Sequence, residues 1–437
     1  MRMAEQIAFV IVLLAAGYFL YKRIAFIRNN IRLGKDVEIN DHKERRLRNL
    51  LLIAFGQKKM FKRPLPALLH LFVYVGFLVI NIEVLEFIID GVTGTHRAFS
   101  PYLGSFYTIL MNIFEILAVA VLVSCIFFLI RRNVLKIPRF WMYEMTSWPR
   151  LDANIILVTE IALMVAILTM NAADQVLQSM NPAYPQTGRL FFSSMLTPMF
   201  SSVPEPTLIL IERSAWWFHI LGILGFSLYI TWSKHLHIFM AFPNTWFAKL
   251  EPKGHMNNMP VVTGEVKLML GLAEAPTPPA EPGRFGAKDV NDLTWNMLMG
   301  AYTCTECGRC TAECPANKTG KKLSPRKIMM DTRDRMEEVG NSLRKDGPGL
   351  NDGKTLLNDY ITKEEINACT SCHACVEACP VMINPLEIII ELRRYVTMEE
   401  SGAPPAWNNM YQNIESNFAP WKFSPGDRFN WANDLKS

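Results

Sequence analysis

No two of the nine cysteines in this sequence are adjacent. No glycine-rich fingerprint links a strand-like run to a helix-like one, so a flavin or nicotinamide nucleotide on this chain is not expected. Charge is scarce: Asp, Glu, Lys and Arg supply 19% of the 437 residues, while hydrophobic residues supply 50%. The net charge of +5 is mild, and no nucleic-acid partner is expected. The first apolar run, roughly residues 7–20, has no small-residue cleavage site before Lys22 and Arg23. That argues against a cleaved secretory signal and predicts a retained membrane helix.

What is present is unevenly spread. Long apolar runs fill residues 1–240, and the last part of the chain reads as a soluble domain. Five segments, near 6–26, 66–90, 106–130, 152–172 and 208–232, match the length of about 20 residues that crosses a bilayer. The fourth, which carries Glu160, is the least apolar of them. Residues 22–65 contain thirteen Lys and Arg and residues 131–150 contain five, whereas 91–105 and 173–207 contain one each, Arg97 and Arg189. The positive-inside rule then predicts the N-terminus outside and everything after the fifth helix in the cytoplasm. Residues 241–290 read as a connector, because the prolines and glycine of 275–283 exclude helix and central strand. A second domain is expected over 291–400, followed by a tail at 401–437.

Eight cysteines form two motifs, Cys304-x2-Cys307-x2-Cys310-x3-Cys314-Pro315 and Cys369-x2-Cys372-x2-Cys375-x3-Cys379-Pro380. Three cysteines at this spacing wrap one face of an iron–sulfur cubane, and the fourth, before proline, ligates the other cluster in two-cluster ferredoxins. One [4Fe–4S] cluster is therefore expected on Cys304, Cys307, Cys310 and Cys379, and another on Cys369, Cys372, Cys375 and Cys314. Zinc favours two ligand pairs with a longer gap between them. Thiolates kept free of disulfides need a reducing compartment, which agrees with the cytoplasmic placement from the loops. Ser324-Pro325 and Asn384-Pro385 follow the two motifs and read as helix starts, N-cap then proline. The gap of 54 residues between motifs is too long for the compact, strand-rich small ferredoxin, and alternating β-branched runs are few. A helical two-cluster domain is predicted. Neither motif offers an open iron site or a base. Lys318, Lys321 and Lys322 read either as a solvated face or as a dock for an acidic partner. His373, among the ligands, is expected to border or tune a cluster. Cys125, alone in an apolar run, reads as packing.

The membrane half holds histidines at two depths. His70 begins the second predicted helix, and His235 and His237 end the fifth. His219 lies 18 residues before His237, about 27 Å along a helix and most of the hydrocarbon thickness. Neutral imidazole is an axial ligand of haem iron, and intramembrane ionisable groups are functional candidates. The expected pairing is His70 with His237, His235 being the substitute. A second haem would need a partner for His219, and His96 is the candidate if Gly91 and Gly94 turn the chain back. Glu83, Glu86, Glu115 and Glu160 also fall in apolar helices. They either relay protons to a quinone, Glu83 and Glu86 first, or cap polar contacts between helices.

On helix count, orientation and histidines of helices two and five, the membrane half resembles the five-helix b-type cytochrome of the nitrate reductase gamma subunit. It is closer to the membrane subunit of heterodisulfide reductase and to related complexes of sulfate reducers. The soluble half resembles the helical ferredoxin segment of their iron–sulfur subunits. That likeness rests on residues 304–325, including Ala316-Asn317-Lys318-Thr319-Gly320, on residues 369–385, and on Ser233-Lys234-His235-Leu236-His237-Ile238. It covers nearly residues 1–400. Such relatives often continue into a domain with a doubled cysteine motif that binds a non-cubane catalytic cluster. This sequence has no adjacent cysteines and ends at Ser437, so it reads as the membrane and relay part. The nitrate reductase pattern has two histidines on helix two, and here His70 stands alone.

The expectation is an all-α protein of a bacterial or archaeal inner membrane, a five-helix transmembrane cytochrome b-type bundle followed by a helical ferredoxin domain. It would pass electrons between a cytoplasmic partner and membrane quinone through two [4Fe–4S] clusters and one or two b haems. The expected partner is a separate cysteine-rich iron–sulfur subunit or an electron-transfer flavoprotein. Trp407, Trp421 and Trp431 of the tail either dock it or pack on the ferredoxin domain. Rival readings are a complete quinone or heterodisulfide reductase, which would need a catalytic centre not visible in the sequence, and a membrane scaffold with structural clusters.

Overall fold

The computed structural model describes residues 3–252, 254–272, 284–347, 352–433 and 435. Among the described residues there is no β-strand, and the chain is all-α. Five helices are long and apolar enough to cross a membrane: Met3–Ile31, Pro64–Thr93, Ser105–Val134, Ser147–Met180 and Glu205–Ile230. The first four of these spans contain the expected segments, and the fifth covers all of the expected 208–232 except its last two residues. The first four run past both expected ends, because hydropathy marks the stretch that suits lipid, while backbone hydrogen bonding continues into the polar turns beyond it.

Close helix contact in lipid needs small residues, and glycines mark where it occurs. A Cβ on Gly76 would meet Val121 at 2.5 Å, one on Gly222 would meet Leu163 at 2.6 Å, and one on Gly91 would meet Phe9 at 2.4 Å. The first span is peripheral: Ile7, Ile11 and Leu14 point outward, and Phe9 plugs into Trp216 and Trp217 of the fifth span. Cys125 is buried against Ala118 and Val121.

The cysteine-bearing domain is fixed to one end of the bundle. A single apolar core joins Ile27, Ile156, Phe226 and Ile230 of three spans to Leu298, Ala301 and Tyr302. Buried charges lock the register. Arg326, fully buried, pairs with Glu144 at 2.6 Å and donates to the Arg139 carbonyl. Arg23 at the end of the first span pairs with Glu337 at 2.7 Å. Asn30 lies against Gly340, where a Cβ would come within 2.0 Å of its side chain. Truncating one member of a buried pair strands a charge at a cost of about 3–5 kcal/mol. Glu144→Ala should therefore lower the denaturant midpoint for loss of cluster absorbance by that equivalent, measured on detergent-solubilised protein.

The stretch expected as a connector is partly domain. The helix His237–Trp246 buries Ala241 and Thr245, and Asn244 donates to the Val381 carbonyl at 2.7 Å. An apolar face on that helix explains the packing, and the proline signal that suggested a linker lies further on. Residues 275–283, which carried that signal, fall outside the described residues. The tail forms a helix, Pro405–Asn417, with Trp407, Trp421 and Trp431 all exposed.

Both expected helix starts are present. Ser324 accepts from the Lys327 amide to begin Pro325–Asp346, and Asn384 accepts from the Glu387 amide to begin Pro385–Met398. The repeat also extends to backbone conformation. Glu306 and Gly308 flank Cys307 with φ of 52° and 69°, and Ser371 and His373 flank Cys372 with φ of 54° and 59°. Each motif thus bends twice through the left-handed region, then enters a short helix, Arg309–Glu313 or Ala374–Ala378. The two short helices pack on each other.

Candidate functional site

The twist in each motif turns its thiols inward. Cys304, Cys307, Cys310 and Cys379 line one cavity with about 350 Å³ of atom-free space, shared with Arg326 and Met329. Cys310 feels the charges of Cys307, Cys304 and Cys379, and more weakly that of Cys375. Cys375 in turn feels Cys369, Cys314 and Cys372. The fourth cysteine of each motif therefore lies with the first three of the other, and the two groups adjoin. Among the described residues no three of His, Cys, Asp and Glu converge tightly enough for a single metal ion.

Burial pushes the Cys304 and Cys375 thiols up to about 12 and the Cys379 thiol up to about 11, with nearby negative groups adding to the rise. Such thiols stay protonated at neutral pH unless a strong positive charge sits beside them, and a coordinated metal provides it by deprotonating the thiol outright. Backbone amides also reach the sulfurs: Ser371 N to Cys369 Sγ at 3.4 Å and Ile383 N to Cys379 Sγ at 3.3 Å. The donor set fits two cubanes. The second group is the more open, Cys372 being exposed.

His373 stands where the first motif has Gly308. A Cβ in the left-handed region costs roughly 1–2 kcal/mol, and the His373 Nε2 is buried with no hydrogen-bond partner among the described residues. His373→Gly is expected to keep full iron content and a stability within about 1 kcal/mol of the parent, by iron assay and denaturation. Loss of iron would mean that the ring supports a cluster. Lys318, Lys321 and Lys322 are exposed, Lys318 and Lys322 pairing only with the exposed Glu313 and Glu364.

The histidines gather at the same end of the bundle as the cysteines. The rings of His70 and His237 have centroids 6.4 Å apart at an interplanar angle of 40°, and His235 lies 5.4 Å from His237, edge-on. His70 Nδ1 pairs with Gln57 Oε1 at 3.0 Å, and His237 Nδ1 with the Lys234 carbonyl at 3.0 Å. Each Nδ1–H donates, so each Nε2 keeps its lone pair. Burial holds the His235 and His237 rings below the ordinary imidazole range, and the neighbouring His237 and His70 lower His235 further. They are neutral at pH 7.

Two segments connect this group to the first cysteine motif: sequence reasoning missed the first, and it named the second for its histidines without foreseeing the contact of Lys234. Residues 57–63 carry Gln57 and lie across the short cysteine helices. Arg309 donates to the Lys59 carbonyl at 3.2 Å, and Arg63 pairs with Glu313 at 3.2 Å. Arg309 also acts electrostatically on His70. The second segment is 233–237, where buried Lys234 pairs with Glu306, the residue before Cys307. Burial opposes the Glu306 charge, but Lys234 and Arg333 outweigh it and hold the carboxyl below the usual range. This contact is present at neutral pH and is lost as pH falls below the usual carboxylate range. An acid between the first two cysteines of a motif, and a lysine beside the histidines, were the available signals.

The other histidines do not pair. His219 Nδ1 donates to the Leu163 carbonyl at 3.0 Å, and its ring meets Phe87. His96 Nε2 bonds Asp174 at 2.9 Å and its Nδ1 faces Arg213 at 3.1 Å, so neither nitrogen is left for iron. The expected pairing of His96 with His219 is not formed, because the loop returns His96 to a charged cluster. Of the acids, Glu86 accepts from the Phe99 amide and the Tyr107 hydroxyl, both at 2.8 Å. Glu115 accepts from the Phe192 and Ser193 amides. These two cap polar contacts. Oε1 of Glu83 has no such donor among the described residues.

With this geometry in hand, comparison with known proteins gives the class. Residues 303–383 match the family model of the 4Fe-4S dicluster domain. The proteins this chain resembles are iron–sulfur oxidoreductases, heterodisulfide reductase subunits D and C of Methanosarcina among them. In particular it is 27% identical to the "Probable iron-sulfur-binding oxidoreductase FadF" of Bacillus subtilis, over 99% of this chain and 61% of that protein. It is 25% identical to the "EtfAB:quinone oxidoreductase" of Syntrophomonas wolfei, over 98% of this chain and 60% of that protein. It is 35% identical to the "Probable membrane-anchored ferredoxin" of Chromohalobacter salexigens, over 40% of this chain and 27% of that protein. The chain thus spans about three fifths of the first two relatives. No solved structure matches it.

Proposed function

We propose that the chain is a membrane electron-transfer protein that connects a cytoplasmic redox partner with the quinone pool. The observation that carries the reading is the alignment of sites. The second cysteine group, in which Cys372 is exposed, adjoins the first, and the first motif is tied through Arg309 and Glu306 to the His70–His237 pair at the root of the spans. Cys304, Cys307, Cys310 and Cys379 would hold one [4Fe–4S] cluster, and Cys369, Cys372, Cys375 and Cys314 the other. His70 and His237 would hold a b-type haem. The 6.4 Å between the two ring centroids, with an Nε2 lone pair free on each, would let both residues hold one iron. A metal-ligating histidine characteristically donates its second nitrogen to an oxygen acceptor, as His70 and His237 both do. When bound, these groups supply one-electron redox centres. The chain's own part is to hold them close, to seal the first group from water and to leave Cys372 near the surface. One haem is supported by this arrangement, since His219 has no partner.

The basic loops support an inner membrane in which the cysteine domain faces the cytoplasm and the N-terminus lies outside. The relative named for EtfAB and quinone supports an electron-transfer flavoprotein and a quinone as the two ends, and the heterodisulfide reductase relatives support a multisubunit assembly. The exposed tail helix would serve docking, as Tyr411 lies beside Arg393, which donates to the Cys369 carbonyl. Anaerobically purified protein should contain about eight irons and eight acid-labile sulfides beyond haem iron, and a b-type band in its reduced-minus-oxidised spectrum. Iron without sulfide, or no haem band, would count against the reading.

A further inference from the structure

The end of the bundle away from the cysteines holds a second polar centre. Glu83, Glu86 and Asp90 recur at helical spacing along one face of the second span, all at most 5% exposed. Arg97, from the following loop, folds back over them. It donates to Asn171 at 2.6 Å and to Asp174 at 3.1 Å on the fourth span, and lies 3.6 Å from Glu83. From the third span Glu115 and Tyr107 face the same space, and Asn171 reaches Glu115 at 3.4 Å. From the fifth span Glu212 faces it with Arg213, which joins His96 and through it Asp174.

The carboxyl groups outnumber the cations. Six face this centre, against the guanidiniums of Arg97 and Arg213 and the one imidazole of His96. Most are satisfied as anions: Asp90 accepts from Thr95 and the Arg97 and Ala98 amides, Asp174 has Arg97 and His96, Glu212 has Arg213, and Glu86 and Glu115 have their amide donors. Glu83 is the exception. It is 2% exposed, its Oε1 has no hydrogen-bond partner among the described residues, and Arg97, the cation 3.6 Å from it, is shared with Asp174. A lone carboxylate in such surroundings takes a proton instead of staying charged.

We infer that Glu83 is a proton-binding site within this centre, held as the neutral acid and exchanging its proton toward the face away from the cysteines. The exchange is acid–base only: the carboxyl O–H breaks, the carboxylate stays in the field of Arg97, and the proton passes out by way of the Glu86–Tyr107 contact and the loop capped by Asp90. This deepens the quinone reading and rests on it for one point, that a quinone changing its oxidation state at this membrane must also exchange protons. The neutral state of Glu83 stands on burial and charge count alone.

Infrared spectroscopy of the full chain in detergent at pH 8, in H2O and in D2O, tests this. The wild type should show the C=O stretch of a protonated carboxylic acid that shifts in D2O. The wild-type minus Glu83→Gln difference should contain that band, which removes any contribution from Glu160. Glu115→Gln should leave the band in place. If Glu83→Gln does not fold, Glu83→Asp should keep a protonated acid at a displaced frequency. A spectrum unchanged by both replacements, or no deuterium-sensitive acid band in the wild type, would overturn the assignment. Absence of haem or of any reaction with quinone would sink the functional reading and leave this band intact, so the two failures are separable.

Discussion

Replacing Cys379 with alanine should remove the iron–sulfur centre of the first motif and leave that of the second, even though Cys379 belongs to the second motif in sequence. The four thiols of the first group share one cavity, and Cys379 is among them. Iron should fall by about four per chain. The paramagnetic signal missing from the reduced Cys379→Ala protein should be the one missing from reduced Cys304→Ala. Cys314→Ala and Cys369→Ala should together lose the other. If Cys379→Ala and Cys369→Ala lost the same signal, each motif would close its own cluster and the crossed arrangement would be wrong. The buried first group gives the larger effect on stability, because its apo thiols and the Glu306, Arg326 and Arg333 charges around it are arranged for a bound cluster.

The second large effect is on haem. His70→Ala and His237→Ala should each abolish the b-type band, while His235→Ala, His96→Ala and His219→Ala should keep it. The distinction comes from hydrogen bonding: His70 and His237 each give their Nδ1 proton to an oxygen acceptor, and no such bond is found for His235 among the described residues. Removing the acceptor that fixes a ligating histidine typically costs 10–100-fold in affinity. Gln57→Leu should therefore weaken haem retention by about that factor, measured by pyridine haemochrome after repeated washing. Retention of haem in both His70→Ala and His237→Ala would move the site elsewhere.

The parts of this protein that were legible in its sequence are those written in local patterns. Five spans follow from apolar length, and the two helix starts after the motifs follow from Ser324-Pro325 and Asn384-Pro385. The dicluster domain follows from eight cysteines whose spacing few other sites share. What escaped the sequence depends on chain segments meeting from far apart. Gln57 is an ordinary loop residue until the second span brings His70 beside it. Glu306 and Lys234 become a buried pair only because the cysteine domain docks on the fifth span. His96 was misassigned for the same reason, as its partners Asp174 and Arg213 come from two other spans. Asp90 was within reach, since it continues the face of Glu83 and Glu86 by one helical turn.

The most direct measurement is reoxidation of the reduced protein by quinone. Anaerobic protein reduced with dithionite, freed of excess reductant and mixed with a menaquinone analogue should show both iron–sulfur signals and the reduced haem band disappear together. In His237→Ala the clusters should stay reduced far longer. Clusters that remain reduced in the wild type, or that reoxidise equally fast without the histidine, would contradict an electron path from the cysteine domain into the membrane.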